Sequence, residues 1–354
     1  MALTSRVIAW SERGRSEEFR GRRVHVFARG GREPLLVLLH GFPSSSYDWR
    51  FLLEEERDRA VLAADFLGFG LSEKPRDHDY TLHWQADLVE ELVRRHGEGL
   101  HQTGRSSASP AERPRIFIVG HDMGTSVATE LLARDLEGRL EMEVSGVLLF
   151  NGSMVQGAAS PTLAQRILRS PLGPLFSRLS SERFFRAQFG SVFSPGHPLT
   201  DEEAEDQWSL ICAGGGRTLN HKTIRYMAER FKHAERWHGA LRDWPGPLQL
   251  AWGMLDPVAT VEVLDAVREL RPQAPLTELP DLGHYPQIEA PTRLDAVLQG
   301  ELRHRLLRSR RDDLRGPVSD GPGGGEAAPR RRSVRVQPRL HHRDDLLARG
   351  RREP

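Results

Sequence analysis

Cysteine is almost absent from this chain: Cys212 is the single thiol in 354 residues, so no internal disulfide can form and no cysteine-rich metal site is available. As one small apolar residue it reads as buried packing. Long hydrophobic runs are missing too. Unbroken apolar stretches are as short as Leu35–Leu39, far below the roughly 18 residues that a membrane-spanning helix needs. The first thirty residues carry charges throughout instead of an apolar leader. A cytoplasmic chain without a membrane partner is the expectation. No phosphate-gripping loop, His-x-x-x-His pair or internal repeat occurs, so neither a metal nor an organic cofactor is implied. Gly214-Gly215-Gly216 lacks the strand and helix of a nucleotide loop and reads as a hinge.

Charge of one sign is scarce overall, with 50 basic against 49 acidic residues. The balance is uneven along the chain. From Arg308 to Pro354 there are 13 Arg against 7 Asp plus Glu, with the run Gly321-Pro322-Gly323-Gly324-Gly325 and few apolar residues. Such a segment cannot bury enough surface to offset its ordering entropy, so 308–354 is read as a disordered, Arg-rich tail. It lacks interleaved aromatics and any nucleic-acid-binding motif, which makes nucleic acid a poor partner for it. The rest, in a chain that is 38% hydrophobic and 28% charged, suits a soluble globular domain with an insertion.

Between residues 20 and 152 short apolar runs alternate with longer amphipathic stretches, the pattern of strands joined by helices in a mainly parallel sheet. Strands are expected at Arg23–Ala28, Leu35–Leu39, Arg59–Ala64, Arg115–Val119 and Val144–Phe150. Gly97 to Pro114 is polar and without periodicity, so it reads as an exposed loop. From Ser153 to Leu241 the texture turns to helical patches broken by Pro161, Pro171, Pro174, Pro195 and Pro198, which reads as an inserted helical cap. Strands return at Leu248–Trp252 and Leu276–Leu279, with helices at Val261–Leu270 and Pro291–Leu307. The expected domains are therefore 1–152 and 242–307 for the two parts of the α/β core, 153–241 for the cap and 308–354 for the tail.

In such sheets ligands bind beyond the carboxyl ends of the strands. There the sequence places Gly120-His121-Asp122-Met123-Gly124, after an apolar strand and before small residues that open a helix. A sharp strand-to-helix turn needs glycine on both flanks and thrusts its central side chain out at the sheet's edge, as a nucleophile elbow does. That side chain is a carboxylate. An Asp in this place also serves simply as a helix N-cap. Other runs end on His40-Gly41-Phe42-Pro43, Asp65-Phe66-Leu67-Gly68, Gly253-Met254-Leu255-Asp256-Pro257 and Gly283-His284-Tyr285-Pro286. The chain order is nucleophile, acid, histidine, as an α/β-hydrolase triad requires. Taken singly, Asp256 could start a turn and His284 could be a satisfied loop histidine, and Asp281 is a further acid nearby.

On these motifs the chain resembles the α/β-hydrolase superfamily over residues 20–305, in the branch with an aspartate nucleophile, epoxide hydrolases and haloalkane dehalogenases. His40–Trp49, Asp65–Pro75 and Arg230–Leu241 look most like the mesoderm-specific transcript protein subfamily. The resemblance implies an α/β-hydrolase fold, with Asp122 as nucleophile, His284 as general base and Asp256 as the group that orients the imidazole. The backbone N–H groups of Phe42 and Met123 would form the oxyanion hole. His40 and His121 read as local supports, and Asp65 as a loop brace. The implied partner is a small apolar electrophile.

Each subfamily is departed from at its own diagnostic residue. Epoxide hydrolases polarise the ring oxygen with two cap tyrosines, and here the cap offers only Tyr226. Haloalkane dehalogenases place a tryptophan after the nucleophile, where Met123 cannot donate a hydrogen bond. Fluoroacetate dehalogenases want arginines beside the nucleophile, and neither Met123 nor Gly124 supplies one. Trp208, Tyr226, Trp237 and Asn151 are the pocket candidates, with Phe176, Phe184, Phe185, Phe189, Phe193 and Phe231 as further cap aromatics. The H-G-x-P turn and Tyr226 favour an epoxide hydrolase-like reading, with a haloalkane dehalogenase as the alternative. Two readings from other classes stay open: an inactive binding or scaffold protein on the same fold, and a hydrolase tethered by its basic tail.

Overall fold

The computed structural model describes residues 2–97 and 113–314. Most of the expected 97–114 loop and residues 315–354 of the expected tail lie outside the described residues. Met1–Arg305 forms one compact unit and Leu306–Pro354 a second, of which only the end of a helix is described.

The chain opens with helix α1 (Ser5–Arg13), whose first turn is closed by the Thr4 hydroxyl accepting from the Val7 N–H. Strands β1 (Arg15–Phe19) and β2 (Arg22–Arg29) follow as a hairpin. Its two-residue turn, Arg20-Gly21, has φ of 50° and 73°, the left-handed pair that matches the twist of the flanking strands. Neither α1 nor β1 is expected from the sequence. The reason is visible in β1 itself: Arg-Ser-Glu-Glu-Phe is charged and mostly exposed, held by pairing with β2 rather than by burial.

Then come β3 (Arg32–Leu39), α2 (Arg50–Glu55), β4 (Arg59–Ala64), α3 (Leu82–Gly97), β5 (Arg115–His121), α4 (Met123–Leu136) and β6 (Glu143–Phe150). A helical stretch follows: α5 (Leu163–Arg169), α6 (Gly173–Leu179), α7 (Glu182–Gly190), α8 (Asp201–Cys212), α9 (Asn220–Thr223), α10 (Tyr226–Lys232) and α11 (Ala234–Asp243). Side-chain caps punctuate it. Thr162 and Gln165 form a reciprocal capping box on α5, Ser181 caps α7 and Thr200 caps α8. The chain returns through β7 (Leu248–Gly253), α12 (Val261–Leu270), β8 (Leu276–Leu279), α13 (Pro286–Glu289) and α14 (Pro291–Leu314). The last helix runs past the expected stop at Leu307.

One eight-stranded sheet results, in the order β1-β2-β4-β3-β5-β6-β7-β8. The β1–β2 and β2–β4 pairs are antiparallel and all others parallel. Its central strands are buried on both faces, which is why they read as continuous apolar runs. Successive residues alternate between two layers. Leu35, Val37, Leu39, Ile116 and Ile118 pack with residues of α3, α4, α11 and α12, while Leu36, Leu38, Phe117 and Val119 pack with α1 and α14. From β3 the chain moves outward to β4 and then crosses back to β5 on the other side of β3. The loops leaving β3 and β5 therefore face one crevice, the switch point at which α/β sheets bind ligands.

Candidate active site

Glycine sets the geometry of that crevice. A Cβ on Gly124 would run into the Leu39 carbonyl, and one on Gly41 would come 2.8 Å from the Asp122 Cβ. Only glycine lets the two loops approach so closely. Asp122 sits between β5 and α4 at φ 42°, ψ −108°, a strained conformation for a residue with a side chain. Its carboxylate makes no capping bond to α4, which sets the N-cap reading aside. The Phe42 N–H donates to Asp122 Oδ2 at 2.9 Å. Met123 is the first residue of α4 and is buried.

The loops after β7 and β8 bring the other two groups. His284 Nδ1 lies 2.7 Å from Asp256 Oδ2, and both side chains are buried. Asp256 Oδ1 accepts from the Val258 and Ala259 N–H groups at 2.7 and 3.0 Å. Burial pushes the Asp256 carboxyl up, but His284, Asn151 and the Val258 N–H outweigh it and hold the group below its ordinary range. Burial likewise pulls the His284 imidazole down, and the Asp256 carboxylate, with Asp122 behind it, reverses this and leaves the pKa above 6.5. An ionised Asp256 fixes the proton on Nδ1 and leaves the lone pair on Nε2.

The remaining expected residues fall into different places. Asn151, also at a positive φ of 46°, donates to Asp256 Oδ2 at 2.8 Å and accepts from the Gly253 N–H at 2.9 Å. Its amide thus supports the acid rather than facing a ligand. Trp237 is not at the site: its indole N–H donates to Glu130 on α4 at 2.8 Å. Phe231 is an exposed residue of α10. Tyr226, by contrast, is buried with its hydroxyl 3.5 Å from Asp122 Oδ2. Burial and the nearby carboxylate raise its pKa and keep the phenol protonated.

The two flanking histidines are fully engaged. His40 sits between the Gly41 carbonyl, 2.8 Å from Nδ1, and the Phe66 N–H, which donates to Nε2 at 2.9 Å. His121 Nε2 faces the His284 carbonyl at 2.7 Å and Nδ1 the Gln287 amide at 3.0 Å. Burial, then the neighbouring His284, pushes His121 down to about 3, so it stays neutral. Asp65 accepts from the Ser46 N–H, the Ser46 hydroxyl and the Leu71 N–H at 2.8, 2.5 and 2.6 Å. It ties together the loops after β3 and β4.

Arg230 is the group that sequence reasoning misses. It is 2% exposed and reaches from α10 into the elbow, where Nη2 donates to the Asp122 carbonyl at 2.9 Å and lies 3.6 Å from Oδ1. Nε donates to Ser126 Oγ at 2.8 Å, and the guanidinium lies 4.7 Å from the Tyr226 ring centre. The i, i+4 spacing of Tyr226 and Arg230 puts both on one face of α10. That spacing is the signal in the sequence, but any helix has many such pairs.

A cavity with an empty volume of about 730 Å³, its open mouth included, borders the site. Phe42, His284 and Tyr285 form its floor, and its walls include Leu168, Phe176, Phe184, Phe185, Phe189 and Trp208. Asp122 lies just beneath this lining, against the Phe42 N–H and the Tyr226 hydroxyl. Such a space suits an apolar molecule delivered to an imidazole. Among the described residues no group of three His, Cys, Asp or Glu gathers to hold a metal, and no helix is long and apolar enough to cross a membrane.

A family model described as "Alpha/beta hydrolase family" matches residues 36–297. A Mycobacterium tuberculosis protein named as hydrolase LipZ is 48% identical over 282 residues, covering 80% of this chain and 93% of the relative. The mesoderm-specific transcript protein of Mus musculus is 33% identical over 299 residues, covering 82% and 85%. Among solved structures, a haloalkane dehalogenase from Bradyrhizobium elkani superposes with a TM-score of 0.67 at 20% identity, over 83% of this chain and 99% of that one. At that identity the likeness speaks to the fold.

Proposed function

The chain belongs to the alpha/beta hydrolase family, and from that premise we propose that this hydrolase opens epoxides through a covalent ester on Asp122. The observation that carries the reading is the Tyr226 hydroxyl 3.5 Å from Asp122 Oδ2, an oxygen-directed donor held protonated beside a carboxylate. An epoxide bound between them meets a nucleophile on carbon and a hydrogen-bond donor on oxygen. The carboxylate attacks the ring carbon, the C–O bond of the ring breaks, and the new alkoxide takes the proton of the phenol, leaving a phenolate on Tyr226.

In the second step neutral His284 Nε2 takes a proton from water, and the hydroxide attacks the ester carbonyl carbon of Asp122. The Phe42 N–H, already 2.9 Å from Oδ2, and the Met123 N–H stabilise the oxyanion. Collapse expels the diol, with the proton on His284 passing to its oxygen, and the proton left on the Asp122 carboxyl group returns to the Tyr226 phenolate 3.5 Å away, restoring both groups. Asp256 holds the imidazole in the useful tautomer and stabilises its cation. The helices between β6 and β7 act as the cap over the apolar substrate.

A panel of terminal epoxides, haloalkanes and carboxylic esters tests the assignment. Epoxides should be turned over, Asp122→Asn should abolish that turnover, and Tyr226→Phe should cut it by about tenfold to a hundredfold. Turnover of haloalkanes with indifference to Tyr226→Phe would move the reaction to the dehalogenase class. Ester hydrolysis that survives Asp122→Asn would contradict the mechanism itself.

A further inference from the structure

The helices that wall the cavity turn an unusual face outward. Leu172, Leu175 and Leu179 are 64%, 57% and 72% exposed, and their three- and four-residue spacing stacks them on one side of α6. Leu163 on the adjoining α5 is 60% exposed. Large apolar side chains clustered in this way mark a contact surface, whereas single exposed leucines do not. The inward sides of the same two helices carry Gln165, Leu168, Phe176 and Ser177 onto the cavity wall. One thin layer thus has solvent on one side and the ligand space on the other.

Charge identifies what covers the leucines. Residues 163–190 hold five arginines against one glutamate, in a chain whose overall charge is close to zero. Arg166, Arg169 and Arg178 are exposed beside the leucines and form no ion pair with the described residues, whereas the half-buried Arg186 of α7 pairs with Glu182 and Asp201. Exposed leucines interleaved with unpaired arginines on short amphipathic helices fit an anionic lipid surface: the apolar side chains enter the acyl boundary while the guanidinium groups meet phosphate.

We propose that the outer face of α5 and α6 docks on anionic phospholipid surfaces. Docking sets the wall of the apolar cavity against the bilayer, a source of lipophilic substrate at high local concentration. It is peripheral binding, consistent with the lack of a spanning helix among the described residues. The docking itself does not depend on the chemistry proposed for Asp122, and its test reads binding alone.

Full-length protein is sedimented with vesicles of pure phosphatidylcholine and of phosphatidylcholine mixed equally with phosphatidylglycerol, at about 0.15 M salt. The wild type should partition onto the anionic vesicles. Leu172→Ser/Leu175→Ser/Leu179→Ser should lower the partition coefficient at least tenfold with an unchanged melting temperature, and Arg166→Gln/Arg169→Gln/Arg178→Gln should lower it and weaken its salt dependence. The single Leu179→Ser variant, with a loss of about threefold, keeps the test open if the triple variant fails to fold. All variants retain the Arg-rich 308–354 segment. Undiminished binding of the leucine variants therefore assigns the attraction to that segment and overturns the proposal. Equal binding to neutral vesicles, no binding at all, or a vesicle-free self-association that the leucine variant abolishes overturns it as well.

Discussion

At the scale of single residues, Arg230 changes what the site can do. A guanidinium that bonds the Asp122 carbonyl pins the strained elbow, and its 3.6 Å approach to Oδ1 balances a carboxylate that is otherwise buried. Its N–H groups are spent on the Asp122 carbonyl and Ser126 Oγ, so it acts as a positioning residue. Arg230→Met should lower kcat by about a hundredfold with little change in KM, and should destabilise the fold by about 3 kcal/mol, because it leaves a buried charge without its partner. Arg230→Lys should recover part of both. Steady-state kinetics and thermal melts check this; a KM effect alone would make Arg230 a substrate contact. His284 supplies a pH signature. Its pKa stands above 6.5 and the base must be neutral, so ester hydrolysis should rise with pH through a midpoint above 6.5. Asp256→Asn should cut kcat by about three to four orders of magnitude through the lost tautomer control. A single-turnover pH profile with its midpoint below 6.5 would contradict the Asp256–His284 pair as drawn.

At the scale of elements, the elbow and the helical insertion build the site, and they differ in how much of them the sequence discloses. Gly120 and Gly124 can be read directly, because a strand running into a helix through a tight turn leaves backbone no room for a Cβ. Gly124→Ala should accordingly destabilise the protein by more than about 2 kcal/mol, since the collision is with the Leu39 carbonyl rather than with a movable side chain. The central strands are equally readable, because burial on both faces leaves no polar position to obscure the run. The hairpin strand β1 is not, since its register comes from β2 and its own residues are charged. Within the insertion, Tyr226 and Trp237 look alike as sequence: each is an aromatic residue in a helical patch. Only the packing of α10 over the elbow and of α11 on α4 sends one to the carboxylate and the other to Glu130. Arg230 is hidden for the same reason, since its partner Asp122 is 108 positions away.

At the scale of the whole molecule, buried acids couple the insertion to the sheet. Asp48, in the loop after β3, accepts from the Ser44 hydroxyl and from the Gln207 amide of α8 at 2.5 and 2.8 Å, and burial pushes its carboxyl up to about 7. The folded state then holds a proton that the unfolded chain releases near pH 3.8. Its stability contribution is full below that pH and is lost as pH rises towards 7, by up to about 4 kcal/mol. Asp48→Asn, which mimics the protonated form, should flatten the fall in melting temperature between pH 4 and 7; an unchanged slope would place the titration elsewhere. The covalent step proposed on Asp122 draws on the sheet, the elbow and the insertion together. Intact-mass spectrometry of His284→Phe after exposure to a terminal epoxide measures it directly. A covalent ester on Asp122 gives a stable adduct with the full mass of the epoxide, located on the peptide that carries Asp122 and absent from the His284→Phe/Asp122→Asn double variant. A protein mass that stays unmodified, or an adduct that persists without the Asp122 carboxylate, would contradict it.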